Sequence, residues 1–174
     1  MPVRDMDMYG NPRAQAVWIG ANRGTSGIEG TIASATGFAA GLKTPVTVFL
    51  GDLALLHDIN SLALVTKSTF PLIIIVINNN GGGIFSFLPI AAFPDIFEEY
   101  FATPHGVSFK GAAEMFSIDY AAPETHEDFI QTYHTASKAA YSTLIEVITD
   151  RQENYRLHRA LEQHIRQSLI THPL

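Results

Sequence analysis

Gly51 and Asp52 follow one apolar run, 46–50, and Asn79 and Asn80 follow a second, 72–78. If both runs are neighbouring parallel strands, a carboxylate and a carboxamide meet at the same sheet edge. Both are hard oxygen donors of the kind Mg²⁺ takes in an octahedral shell. The main-chain carbonyl of Gly81 would add a third protein ligand, with anion oxygens and water completing the set. Gly81, Gly82 and Gly83 leave backbone N–H groups open to an anion. A helix starting after Asp52 would turn its positive end the same way. The chemistry implied is a metal-bridged diphosphate site. Taken singly, Gly51-Asp52 reads equally as a turn and the Asn/Gly run as a loop; their pairing on successive strand ends carries the reading.

The elements needed to place these residues follow from periodicity. Residues 46–50 and 72–78 read as strands, the second buried on both faces because it is apolar and β-branched. Further strands are predicted at 16–19, 117–120 and 144–148. Helices are predicted at 31–41, ended by Gly41, and at 57–65, with Leu62, Leu64 and Val65 inward. Others are predicted near 93–100 and 109–116, and from a capping box at Thr125/Asp128 to about Ala140. Asp150 and Glu153 open a last helix on which Leu157, Leu161, Ile165 and Leu169 recur every four residues and are expected to face the core. Alternating greasy strands and helices predict an α/β fold, a three-layer parallel sheet with helices on both faces. Ligands in such sheets bind beyond the carboxyl ends of the strands.

Bulk properties limit the function classes. The chain has 174 residues, read as one domain over 1–174. It is 47% hydrophobic and 16% charged, which fits a globular chain. A net charge of −6 argues against nucleic acid as a partner. Without cysteine there is no disulfide framework and no thiolate metal site. No run is apolar for long enough to suggest a membrane span, and a cytoplasmic location is expected.

The Gly51-Asp52 and Asn79-Asn80 pair resembles the thiamine-diphosphate motif, which begins Gly-Asp-Gly and ends Asn-Asn. Leu53 departs from the usual third glycine. Gly51-Asp52-Leu53-Ala54-Leu55-Leu56-His57-Asp58 is similar to one branch, the 2-succinyl-5-enolpyruvyl-6-hydroxy-3-cyclohexene-1-carboxylate synthase family of menaquinone and phylloquinone biosynthesis. The segments Asn22-Arg23-Gly24-Thr25-Ser26-Gly27-Ile28-Glu29-Gly30 and Asn79-Asn80-Gly81-Gly82-Gly83-Ile84-Phe85-Ser86-Phe87-Leu88-Pro89 resemble the same family.

That resemblance implies thiamine diphosphate and Mg²⁺, with Mn²⁺ the alternative metal. It implies Asp52, Asn79 and the Gly81 carbonyl as metal ligands, with Gly51, Leu53, Ala54, Gly82 and Gly83 about the diphosphate. Ile28 matches the aliphatic residue beneath the thiazolium ring that bends the cofactor; core packing is its other reading. Arg4 and Arg23 match arginines for the substrate carboxylates, in keeping with bidentate guanidinium–carboxylate pairing, and surface ion pairs are the alternative. Ile84, Phe85 and Leu88 match substrate-pocket residues and read equally as core. The implied reaction decarboxylates 2-oxoglutarate and adds the resulting succinyl carbanion to isochorismate. His57 and Asp58 are read as helix-start residues, with no catalytic part.

Members of this family are about three domains long, and their pyrimidine-binding domain, missing from this chain, supplies an activating glutamate. The chain is therefore expected to be a fragment of a three-domain enzyme. It should be inactive alone, weak in cofactor affinity and prone to form a homo-oligomer. Two alternatives stand: another thiamine-diphosphate enzyme, such as an acetolactate-synthase relative or 2-oxoacid decarboxylase, or a non-catalytic nucleotide-binding module.

Overall fold

A computed structural model describes residues 2–10, 18–22 and 27–171. In chain order the helices are α1 (Pro2–Tyr9), α2 (Thr31–Leu42), α3 (Asp52–His57), α4 (Leu62–Val65), α5 (Pro94–Phe97), α6 (Lys110–Met115), α7 (His126–Ala136) and α8 (Arg151–Thr171). The strands are β1 (Val46–Gly51), β2 (Leu72–Asn78), β3 (Asp119–Ala121) and β4 (Thr143–Ile148). The chain forms two compact units, one of residues 1–78 and 107–148, the other of residues 79–106 and 149–174.

The first unit holds one sheet, ordered β1-β2-β4-β3, with every neighbouring pair parallel. Side chains alternate across a strand, and β2 shows both faces filled. Leu72, Ile74 and Val76 join Ile32 and Ala39 of α2, Leu55 of α3, Leu62 and Val65 of α4, and Ala113 of α6. Ile73 and Ile75 join Ile145 and Ala136, with Phe129 and Tyr133 of α7 against them. This is the three-layer α/β arrangement that the greasy strands foretell.

Some elements differ from the sequence expectation. The strand expected at 16–19 is not formed by Trp18 and Ile19, which are irregular and exposed; positions 16 and 17 lie outside the described residues. The helix expected to begin at His57 and run to Val65 is not formed as such: His57 ends α3, a 3-10 turn takes Ile59–Ser61, only Leu62–Val65 is α-helical, and Leu64 faces out. The reason is Asp58. Its carboxylate is buried and accepts the Ile32 N–H at 2.6 Å and the Ser61 hydroxyl at 2.5 Å. It thereby caps the start of α2, where Gly30, left-handed at φ 81°, has no side chain to do so. Gly41 lies within α2; the left-handed residue after the helix is Lys43, whose N–H donates to the Ala39 carbonyl.

In the second unit, Asp150 starts α8 as expected, its Oδ1 accepting the Glu153 N–H at 2.7 Å. Phe87 meets the rings of Tyr155 and His158 of α8 edge-on, and Arg151 pairs with Glu98 at 2.9 Å. The expected inward stripe of α8 is not inward: Leu157, Leu161, Ile165 and Leu169 are all exposed. Their spacing records an amphipathic helix, while Arg151, Tyr155 and His158, on its first turns, hold Glu98 and Phe87.

Candidate functional site

In the first unit the strand register places the candidate metal ligand. Gly51 is opposite Ile77, so Asp52 leaves β1 at the level of Asn78 on β2. Both lie at the carboxyl edge of parallel neighbours, where open sheets bind ligands. Asp52 is 3% exposed, and its Oδ1 accepts the Leu53 N–H at 2.8 Å. A carboxylate held this far from water needs compensating donors or a cation. Gly51 is extended, at φ −82°, and a Cβ there would meet nothing within 4 Å, so the backbone borders open space. Ala54 packs its methyl group against the core, leaving its main chain for any ligand contact.

Ile28 is 38% exposed and belongs to neither core cluster, which removes the core-packing reading of it. Its N–H donates to Glu29 Oε2 at 3.1 Å. The Glu29 carboxyl is held below the usual carboxylate range by its own backbone N–H and then by that of Ile28. Arg4 is on an exposed part of α1, and Arg23 lies outside the described residues.

In the second unit, Asn79 Oδ1 is buried and has no hydrogen-bond partner. Such an atom costs about 1–3 kcal/mol unless something fills its lone pairs. Gly83 makes room for this amide, because a Cβ at 83 would run into Asn79 Nδ2. Gly81, at φ 129°, passes so close to the Ala102 carbonyl that no side chain fits, and a Cβ on Gly82 would strike the Phe101 carbonyl and the Phe85 ring. The glycine run thus first serves close packing on segment 101–103. Two of the N–H groups expected to face an anion are already engaged: Gly82 donates to the Ala102 carbonyl at 2.7 Å and Gly83 to the Gly81 carbonyl at 2.9 Å. A carbonyl oxygen has two lone pairs, so the bond from Gly83 does not by itself bar the Gly81 oxygen from a metal. Asn80, left-handed at φ 58°, pins the far end of the segment, its Oδ1 accepting the N–H groups of His105 and Gly106. Phe85 stacks edge-on against Phe101, while Ile84 and Leu88 are exposed.

Each unit carries donors of the type a hard divalent cation takes: in the first the buried carboxylate of Asp52, in the second the partnerless amide oxygen of Asn79 and the Gly81 main-chain carbonyl. Among the described residues no cluster of three or more His, Cys, Asp or Glu offers a competing metal site.

One feature escaped sequence reasoning. Glu146, on β4, is 0% exposed and accepts four hydrogen bonds, from Asn78 Nδ2 at 2.6 Å, Tyr120 OH at 2.6 Å, the Phe109 N–H at 3.0 Å and the Ser108 hydroxyl at 3.1 Å. Burial pushes the Tyr120 phenol up, and its bond to Glu146 pushes the same way. The signal was a lone charge inside the apolar strand Thr143–Ile148, where only a saturated carboxylate can sit.

The chain is 52% identical over 161 residues to the 2-succinyl-5-enolpyruvyl-6-hydroxy-3-cyclohexene-1-carboxylate synthase of Rubrobacter xylanophilus, covering 92% of this chain and 28% of that protein. It is 50% identical over 166 residues to the like-named synthase of Chlorobium limicola, covering 95% and 28%. The chain therefore spans 28% of the length of these relatives. Benzoylformate decarboxylase from Polynucleobacter necessarius matches in structure with a TM-score of 0.61, over 69% of this chain and 23% of that one; at 17% identity the likeness is one of fold. The family model of the thiamine pyrophosphate enzyme, C-terminal TPP binding domain, matches residues 7–147, taking in both strand ends and the glycine run, and the chain belongs to that family.

Proposed function

We propose that this chain is the cofactor-holding part of a thiamine-diphosphate-dependent synthase that decarboxylates 2-oxoglutarate and adds the product to isochorismate, in the formation of menaquinone or phylloquinone. About half of the aligned residues are identical to those of each of two synthases of that name. The observation that carries the cofactor reading is the buried, partnerless Oδ1 of Asn79, next in sequence to the strand end level with Asp52.

Asp52, Asn79 Oδ1 and the Gly81 carbonyl hold Mg²⁺, and the main chain at Gly51, Leu53, Ala54, Gly82 and Gly83 borders the diphosphate. Thiamine diphosphate, when bound, supplies the electron sink for decarboxylation. The protein's own part is placement and charge. Ile28 offers an exposed aliphatic surface to the cofactor ring. Arg4 and Arg23 pair with the carboxylates of the dianionic substrates. Ile84 and Leu88, exposed, and Phe85, anchored on Phe101, give an apolar wall. A homo-oligomeric parent enzyme in the cytoplasm goes with this reading.

Calorimetric titration with Mg²⁺ and thiamine diphosphate tests it. Heat that requires both components, and that is lost in Asp52→Ala, is expected. Binding by Asp52→Ala with the parent's affinity would overturn the assignment.

A further inference from the structure

The chain leaves the first unit at Asn78 and re-enters it at Val107. The excursion between them, residues 79–106, carries Asn79, the three glycines, Ile84, Phe85 and Leu88. Its two stem residues are bonded directly: Asn78 Nδ2 donates to the Val107 carbonyl at 3.0 Å. The same amide group donates to Glu146 Oε1. The other oxygen, Oε2, takes Ser108 Oγ, the Phe109 N–H and Tyr120 OH. One oxygen of a fully buried carboxylate therefore grips the exit of the excursion, and the other grips its return.

We propose that Glu146 is a positioning residue that clasps the stem of the 79–106 excursion, so that Asn79 and Gly81 are pre-ordered before any metal or cofactor arrives. Bringing the ends of a loop together costs entropy that grows with its length. With the clasp made, that cost is met within the folded chain. Without it, ligand binding would have to order the segment, and apparent affinity would fall by the fraction of ordered molecules. A carboxylate is suited to this because charge-assisted bonds are stronger than neutral ones. Its β4 position, opposite Val76 in the sheet, holds it still. An ordinary buried carboxylate would stabilise the sheet as a whole. A clasp acts selectively on the excursion.

The importance of the clasp for cofactor binding rests on the function proposed above; its action on the excursion does not. Hydrogen exchange on the ligand-free chain separates the two. In Glu146→Gln, amides in 79–106 that are protected in the parent are expected to exchange at least tenfold faster, while those of β1 and residues 72–76 of β2 keep their protection. Adding Mg²⁺ and thiamine diphosphate is expected to restore protection in 79–106, with an affinity at least tenfold weaker than the parent's. Unchanged exchange in 79–106 overturns the clasp, and so does a uniform rise over the whole sheet. Should Glu146→Gln fail to fold, Asn78→Ser removes the amide from the other side and is read by the same two outcomes. Selective deprotection in a chain whose parent binds no cofactor would keep the clasp and sink the cofactor reading.

Discussion

Three buried carbonyl or carboxylate groups show two ways of handling polarity away from water. Glu146 is saturated by four donors, and Asp58 by the α2 backbone and Ser61. Asn79 Oδ1 has none. Removing a satisfied group loses its bonds, whereas removing an orphan loses little. Asn79→Ala is therefore expected to leave the ligand-free chain within about 1 kcal/mol of the parent in urea denaturation, and to erase the added stability that Mg²⁺ with thiamine diphosphate confers. A larger loss in the ligand-free chain would mean that this oxygen already has a partner. Tyr120 gives a pH test. Its folded phenol titrates above the ordinary value, through burial first and Glu146 second, so the folded state favours the protonated ring. That contribution is full below the unfolded phenol pKa of about 10 and is lost as pH rises through the higher folded value. Thermal midpoints should fall more steeply with pH above about 10 in the parent than in Tyr120→Phe; parallel curves would remove Tyr120 as the source.

At the scale of elements, Asp58 belongs to α2 although it sits between α3 and α4. Asp58→Ala should cost about 1–3 kcal/mol in urea denaturation, from the lost cap and an unsatisfied Ile32 N–H. Asp58→Asn, which keeps one acceptor oxygen, should recover part of that. An Asp58→Ala midpoint equal to the parent's would show that water replaces the cap. This residue also marks how far the sequence could be read. The apolar spacing across 57–65 continues without a break, so local periodicity predicts one helix; the interruption comes from a bond to a residue 26 positions away. Strand β2 was legible because its type and burial coincide: Leu72–Val76 are all buried. The start of α7 was legible because Thr125 Oγ1 accepts the Asp128 N–H locally. Glycines 81–83 were legible as a close approach, but not what they approach, since Phe101 and Ala102 lie well downstream. Gly81→Ala, strained at φ 129° and obstructed by the Ala102 carbonyl, should raise exchange across 79–106. Parent-like exchange there would mean that segment 101–103 yields easily.

At the scale of the molecule, the strand ends that carry Asp52 and Asn78 were readable from two apolar runs, while the packing of residues 84–88 was not. Phe85 packs on Phe101, Ile84 and Leu88 do not pack inward, and no periodicity separates them. The stripe on α8 teaches the same lesson: four-residue spacing reports a two-sided helix, not what covers its apolar side. Leu157→Ser, at a site 56% exposed, should shift stability by no more than about 0.5 kcal/mol, against the roughly 2–5 kcal/mol expected for a core change such as Ile74→Ala. Comparable losses at both sites in denaturation would show that Leu157 is covered in solution.

The stem at Asn78 and Val107 has an evolutionary consequence. Because a segment that departs and returns at one bonded point adds nothing to strand register, 79–106 can change in length or composition while β1, β2 and β4 keep their pairing. The constraint falls on the stem residues Asn78 and Val107 and on Glu146, which binds Asn78, and residues 84–88 carry no part of the strand register.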